Sequence, residues 1–233
     1  MPSAVSHYAT SPPPHLPTRQ RAIIQGDGGA LRIAHAQPLP ALSPSQILVK
    51  TAAVALNPTD YKMHANFPSP GAAVGCDFAG TIVALGSDFL TSHSTSTSST
   101  ASISSSYSSL SSLSEQHQRH PTLKIGDRVC GAVHGSNPID PSTGAFAEYV
   151  HTEGDLVLRV PDSVPWEKAA ALGGIGHGTL ALALWRSLGL KGTPDLPRQG
   201  KEEAADNEEE GQYVLVYGGS TATGTMALQL LKA

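Results

Sequence analysis

The feature that most restricts this chain lies near its C-terminal end, where Tyr213-Val214-Leu215-Val216-Tyr217 runs into Gly218-Gly219-Ser220-Thr221-Ala222-Thr223-Gly224. Five apolar residues in a row suit a strand buried on both faces, as in a parallel sheet. The glycine-rich turn then leads into a helix-forming stretch, residues 225–232. Strand, glycine turn and helix open a βαβ unit. At such a turn the free amides and dipole of the helix N-terminus favour an anion, and the missing side chains let a pyrophosphate approach. The spacing GGxxxxG departs from GxGxxG, so a tight βα connection with no ligand is the competing reading. A Walker loop is excluded because no Lys-Ser/Thr follows the last glycine. A nucleophile elbow at Ser220 would need an acid and a histidine later in the chain, and none follows.

Upstream the character is different. Apolar runs at 21–25, 30–34, 47–56, 80–85, 128–133, 146–150 and 156–160 read as short strands divided by turns. Gly26-Asp27-Gly28-Gly29 marks a hairpin, and Asn57-Pro58 ends the third run because proline cannot donate to a ladder. Many short strands at close spacing imply a small β-barrel or curled sheet. Helices are expected from Pro165 and over residues 178–188, closed by Gly189.

Two segments are foreign to a packed fold. Residues 91–114 hold 18 Ser or Thr in 24 positions, so residues 91–119 are expected to be a disordered insertion. Residues 192–212 hold seven acids against two cations, a net −5 that leaves +1 for the rest of a chain whose formal charge is −4. That segment reads as an acidic linker, and no basic face remains for nucleic acid. Cys76 and Cys130, the only cysteines, form neither a disulfide framework nor a CxxC pair. The longest apolar run, 180–185, is too short for a bilayer, and residues 1–20 are Pro/Ser-rich without a signal-peptide core. A cytoplasmic protein is expected.

The remaining motifs are Asn57-Pro58-Thr59-Asp60-Tyr61-Lys62, Gly75-Cys76-Asp77-Phe78-Ala79-Gly80, Gly126-Asp127-Arg128-Val129, Gly144-Ala145-Phe146-Ala147-Glu148-Tyr149 and Ala169-Ala170-Ala171-Leu172. With the glycine turn, they resemble the medium-chain dehydrogenase/reductases, in particular the fungal trans-acting enoyl reductases of polyketide synthesis. The resemblance runs from about Arg21 to Ala233. It implies an α/β chain: a GroES-like β-barrel domain over 21–164, then the start of a Rossmann-type dinucleotide-binding domain over 165–233. It further implies NADPH-dependent reduction of α,β-unsaturated thioesters on a partner polyketide synthase or PKS–NRPS, by a monomer. Alternatives are a quinone-oxidoreductase-like reductase of free small molecules and a non-catalytic remnant that only docks.

By the same resemblance, Thr59, Asp60, Tyr61 and Lys62 line the nicotinamide–ribose side of the cofactor, and Thr221, Ala222, Thr223 and Gly224 hold its pyrophosphate. Lys62 could equally be a solvated lysine, and Tyr61 a packed aromatic rather than a proton donor. The acyl substrate is expected along Gly178, Thr179, Leu180, Ala181, Leu182, Ala183, Leu184 and Trp185, a stretch that would also suit ordinary core packing. His177 is a polar candidate or a structural histidine. Zinc-using relatives carry Cys where Asn57 stands and His-Glu where Cys76-Asp77 stand, so no metal is expected and Cys76 is read as a buried thiol. An enolate forming on a thioester oxygen can be stabilised by hydrogen-bond donors alone. Relative to the family pattern, on the order of a hundred further residues are expected past Ala233, about half a domain. They would carry the partner strands and the NADP/NAD discriminator, so the chain as written is expected to bind NADPH weakly.

Overall fold

The computed structural model describes residues 16–91, 123–190 and 213–232. The expected Ser/Thr-rich insertion, the acidic linker and most of the N-terminal segment lie outside these residues.

Alternating side chains build the centre. Five antiparallel strands pair in the order β6-β3-β4-β5-β7, with β3 Gln46–Ala55, β4 Asp77–Leu85, β5 Arg128–Ala132, β6 Tyr149–Glu153 and β7 Val157–Arg159. Because successive side chains point to opposite faces, Phe78, Ile82 and Val129 enter one core with Ile47, Val49 and Val150. Ala79 and Cys130 enter another, with Ala169 and Ala170 of helix α3 (Trp166–Leu172). Small residues on that second face let α3 lie close. Gly80 is needed in β4, since a Cβ there would run into the Lys50 carbonyl of β3.

The hairpin β1 (Arg19–Gln25) and β2 (Leu31–Pro38) forms its own two-stranded sheet. Its turn places Gly28 and Gly29 at φ of 65° and 82°, as the sequence predicts. Isolated bridges Ala22↔Ala147 and Ile24↔Ala73 join it to the loops beside the larger sheet. The expected β-barrel is therefore not closed. The strands curl, with bulges in β3 at Leu48/Val49 and Thr51/Ala53, yet β6 and β7 remain unpaired edges among the described residues. Loop-to-strand bonds such as Ile23 N–H to the Phe146 carbonyl (2.8 Å) satisfy the backbone without a continuous ladder.

Three further expectations are corrected. Helix α1, Pro58–Asn66, begins on the proline that the sequence offers as a strand stop. A single helix over 178–188 is replaced by α4 (Ile175–Leu180) and a π-helical segment, Ala181–Ser187. Residues 213–216 form no strand: Tyr213, Leu215 and Tyr217 are 97%, 92% and 100% exposed. A strand needs neighbours for its N–H and C=O groups, and among the described residues this run has none. Helix α5, Ala222–Leu230, does form after the glycine turn. Its Ala227 packs on Leu180 of α4 and Leu184 of the π-helical segment. The short helix α2, Ser87–Thr91, closes the β4 end.

Candidate functional site

Two of the acids the fold buries, Asp60 and Asp77, meet where α1, β4 and α4 come together. Asn57 caps α1: its own N–H donates to Asp60 Oδ2 at 2.7 Å, and Asp60 N–H returns to the Asn57 carbonyl at 3.0 Å. This Asn-Pro-x-Asp arrangement is a helix start written in the sequence, with proline at the first helical position where its missing N–H costs nothing. Asn57 Nδ2 then donates to Asp77 Oδ2 at 2.9 Å, and the Ile175 N–H that opens α4 donates to Asp77 Oδ1 at 3.0 Å. Asp77 is 2% exposed. Burial pushes its carboxyl up, the Asn57 and Ile175 donors pull it back, and the nearby Asp60 charge adds to the rise.

Asp60 is itself buried, and its Oδ1 has no partner among the described residues. The thiols of Cys76 and Cys130 are both pushed up to about 11, chiefly by burial, with the Asp60 carboxylate adding to the rise at Cys76 and the Asp77 carboxylate at both. They are neutral, inert thiols at physiological pH. Among the described residues no three His, Cys, Asp or Glu side chains are placed to hold a metal.

The expected site residues fall into three groups. Along α1, Asp60 is buried, whereas Tyr61 is 60% exposed with the Lys62 ammonium 5.9 Å over its ring. Thr59 is half-buried. At the glycine turn, Thr221 Oγ1 accepts the Gly224 N–H at 3.1 Å and donates to the Gly218 carbonyl at 2.8 Å. Thr221 is thus the N-cap of α5, and its hydroxyl is spent within the turn. A Cβ on Gly224 would strike the Gly218 carbonyl, so this glycine serves a close backbone approach. The amides of Ala222 and Thr223 have no acceptor among the described residues and remain free at the helix start. Along the third group, Gly178, Thr179, Ala181 and Leu182 are exposed, Leu180 and Leu184 are core, and Ala183 and Trp185 are half-buried. His177 Nδ1 bonds the Leu172 carbonyl.

The structure brings Asn57, Asp60, Cys76 and Asp77 together. No described hydrogen bond or ion pair joins α1 to the glycine turn. What sequence reasoning missed is Asp77 as a junction of α1 and α4. Its only signal was an acid inside an otherwise apolar strand, which is costly unless hydrogen-bonded.

Free amides at a glycine-lined helix start are groups of the kind that phosphates accept from, and exposed Lys62 lies on a separate element.

Comparison with known proteins places the chain in a family. The alcohol dehydrogenase GroES-like domain matches residues 43–162. The chain is 49% identical over 217 residues to trans-enoyl reductase ffsC of Aspergillus flavipes, covering 93% of this chain and 49% of that protein. It is 46% identical to trans-enoyl reductase ccsC of Aspergillus clavatus, covering 93% and 50%. The chain therefore spans about half the length of the curated relatives it matches. Among solved structures, an alcohol dehydrogenase superfamily protein from Novosphingobium aromaticivorans superposes with a TM-score of 0.59 at 24% identity, over 91% of this chain and 50% of that one. The CurK enoyl reductase does so at 0.54 and 16% identity, over 92% and 51%. These two likenesses concern the fold. No helix of the described residues is long and apolar enough to cross a membrane.

Proposed function

The chain belongs to the alcohol dehydrogenase GroES-like domain family, and from that premise we propose that it forms part of a trans-acting enoyl reductase. Its substrates would be α,β-unsaturated polyketide thioesters carried on a partner polyketide synthase or PKS–NRPS, and its cofactor NADPH. The observation that carries this reading is 49% identity, over 93% of the chain, to a trans-enoyl reductase. The protein would work as a cytoplasmic monomer, divided into residues 21–164 and 165–233.

NADPH supplies the hydride that the thioester's β-carbon receives. The chain's own residues bind and orient. The free Ala222 and Thr223 amides would hold the pyrophosphate, with Thr221 and Gly224 shaping the turn that presents them. Lys62 offers a cation to ribose or phosphate, with Thr59 and Tyr61 as neighbouring hydroxyls. The exposed side of the α4 region (Gly178, Thr179, Ala181, Leu182) offers apolar and small surface to an acyl chain, while Leu180 and Leu184 hold that region to α5.

Nicotinamide absorbance during mixing with an enoyl thioester, and separately with a quinone, tests the reading. With a protein of the relatives' full length, oxidation of NADPH with the thioester alone is expected, and Lys62→Ala should raise KM for NADPH by about tenfold, the effect of losing one charge-assisted contact. Turnover of the quinone with none of the thioester would replace this reading with that of a free small-molecule reductase.

A further inference from the structure

Asp77 sits in β4 opposite Ala55 of β3 and Ala132 of β5, so the sheet fixes its backbone on both sides. Its two carboxylate oxygens serve different elements. Oδ2 takes the side-chain amide of Asn57, the residue that caps α1, and Oδ1 takes the first backbone amide of α4. The chain before Ile175 is pinned as well, since a Cβ on Gly174 would strike Ala132. The titratable groups facing Asp77 are Asp60, Cys76 and Cys130, a like charge and two neutral thiols. No cation among the described residues pairs with it.

A buried carboxylate held by two neutral donors beside another acid is a poor choice for stability alone, because desolvation and repulsion both oppose it. Each of its oxygens nonetheless meets a donor with good geometry. We propose that Asp77 is a positioning residue that couples α1 to α4. One carboxylate fixes the start of the helix bearing Thr59, Tyr61 and Lys62 relative to the start of the segment from Gly178 to Trp185. A shift of either helix start loads the same side chain, so the cofactor side and the substrate side keep one spacing. That the two arms are a cofactor side and a substrate side rests on the function proposed above. The coupling itself rests on the two bonds.

Site-resolved amide hydrogen exchange on the intact chain tests the coupling without any ligand. Asn57→Ala is the decisive variant, because Asn57 does not touch Ile175. The Ile175 amide is expected to exchange at least about threefold faster, while Val49 in β3 is unchanged. Asp77→Leu should release the Ile175 and Asp60 amides together by about tenfold or more. Asp77→Asn, which keeps one acceptor and turns a donor toward the other helix, should release only one of them. An Ile175 amide indifferent to Asn57→Ala overturns the coupling, as does an equal speeding at Val49, which would mean general loosening. If Asp77→Leu fails to fold, Asn57→Ala still decides. Titration with NADPH separates the two ideas. Absence of NADPH binding by a protein of the relatives' full length counts against the functional reading, whereas the exchange result on this chain stands or falls alone.

Discussion

Two apolar segments of this molecule read alike and end differently. β3 contains Ile47-Leu48-Val49, and the run at 213–217 contains Val214-Leu215-Val216 between two tyrosines. In β3 all three apolar residues are at most 2% exposed, whereas Leu215 is 92% exposed. The difference is not in propensity. β3 lies between β4 and β6 and is hydrogen-bonded along both edges, while the later run has no paired edge among the described residues. Strand propensity measures how well a side chain fits a pleated neighbour, and without the neighbour it has little to act on.

The largest test of this contrast is in the sheet. Phe78→Ala removes the side chain at the middle of the core that β3, β4 and β5 share. It should cost about 3–5 kcal/mol, transfer plus cavity, read as a fall in the urea midpoint at unchanged slope. A loss under about 1 kcal/mol would mean that this core is far looser than its burial implies.

Next comes an effect of pH confined to the same sheet. His151 of β6 is buried, with Nε2 3.2 Å from Ser142 Oγ and Nδ1 3.5 Å from Gln46 Oε1. Burial pushes its pKa below the ordinary value of 6.5, against the upward pull of Asp140 and Glu153. The unfolded chain then binds the proton more readily than the folded one. This stability is present above about pH 6.5 and is lost as pH falls below it. His151→Gln should flatten the acid limb of a stability–pH curve. Burial of Asp77 works in the opposite sense, because a carboxyl raised above its ordinary value loses stability as pH rises through its folded pKa. An unaltered acid limb in His151→Gln would count against a neutral, buried imidazole.

Much of the fold was legible because it follows from short-range rules. Strands β1 to β5 lie within a few residues of the apolar runs that announced them, and Gly28 and Gly29 have the backbone their turn required. Cys76 is a buried thiol, as expected, and Cys130 is a second one. What escaped was set by partners distant in sequence. Asp77 gains its meaning from Asn57, 20 residues away, and Ile175, 98 residues away. The open sheet could not be told from a closed barrel, because closure depends on whether β6 meets β7. Helix α1 differs: Asn57, Pro58 and Asp60 spell its start, yet the same proline also ends a strand, and proline alone does not separate the two roles.

A smaller effect is expected at the glycine turn. Thr221→Ala deletes the N-cap of α5 and frees the Gly224 amide, a loss of about 1 kcal/mol. Exchange of the α5 amides should speed up while Val49 and Phe78 keep their rates. Equal changes in both places would mean that α5 and the sheet open as one unit.

The smallest effect belongs to Leu215. A leucine that is already 92% exposed loses almost no burial when it becomes serine, so Leu215→Ser should leave stability within about 0.5 kcal/mol. Val49→Ser, the matched change in β3, removes a fully buried side chain and sets a hydroxyl among apolar neighbours, which should cost several times more. The pair asks one question of two similar sequences, whether a strand has something to pack against. If Leu215→Ser cost more than about 1 kcal/mol, or if it cost nothing yet abolished a concentration-dependent gain in melting temperature, residues 213–217 would be paired in solution with another chain. The contrast with β3 would then lie in where the partner strand comes from rather than in whether there is one.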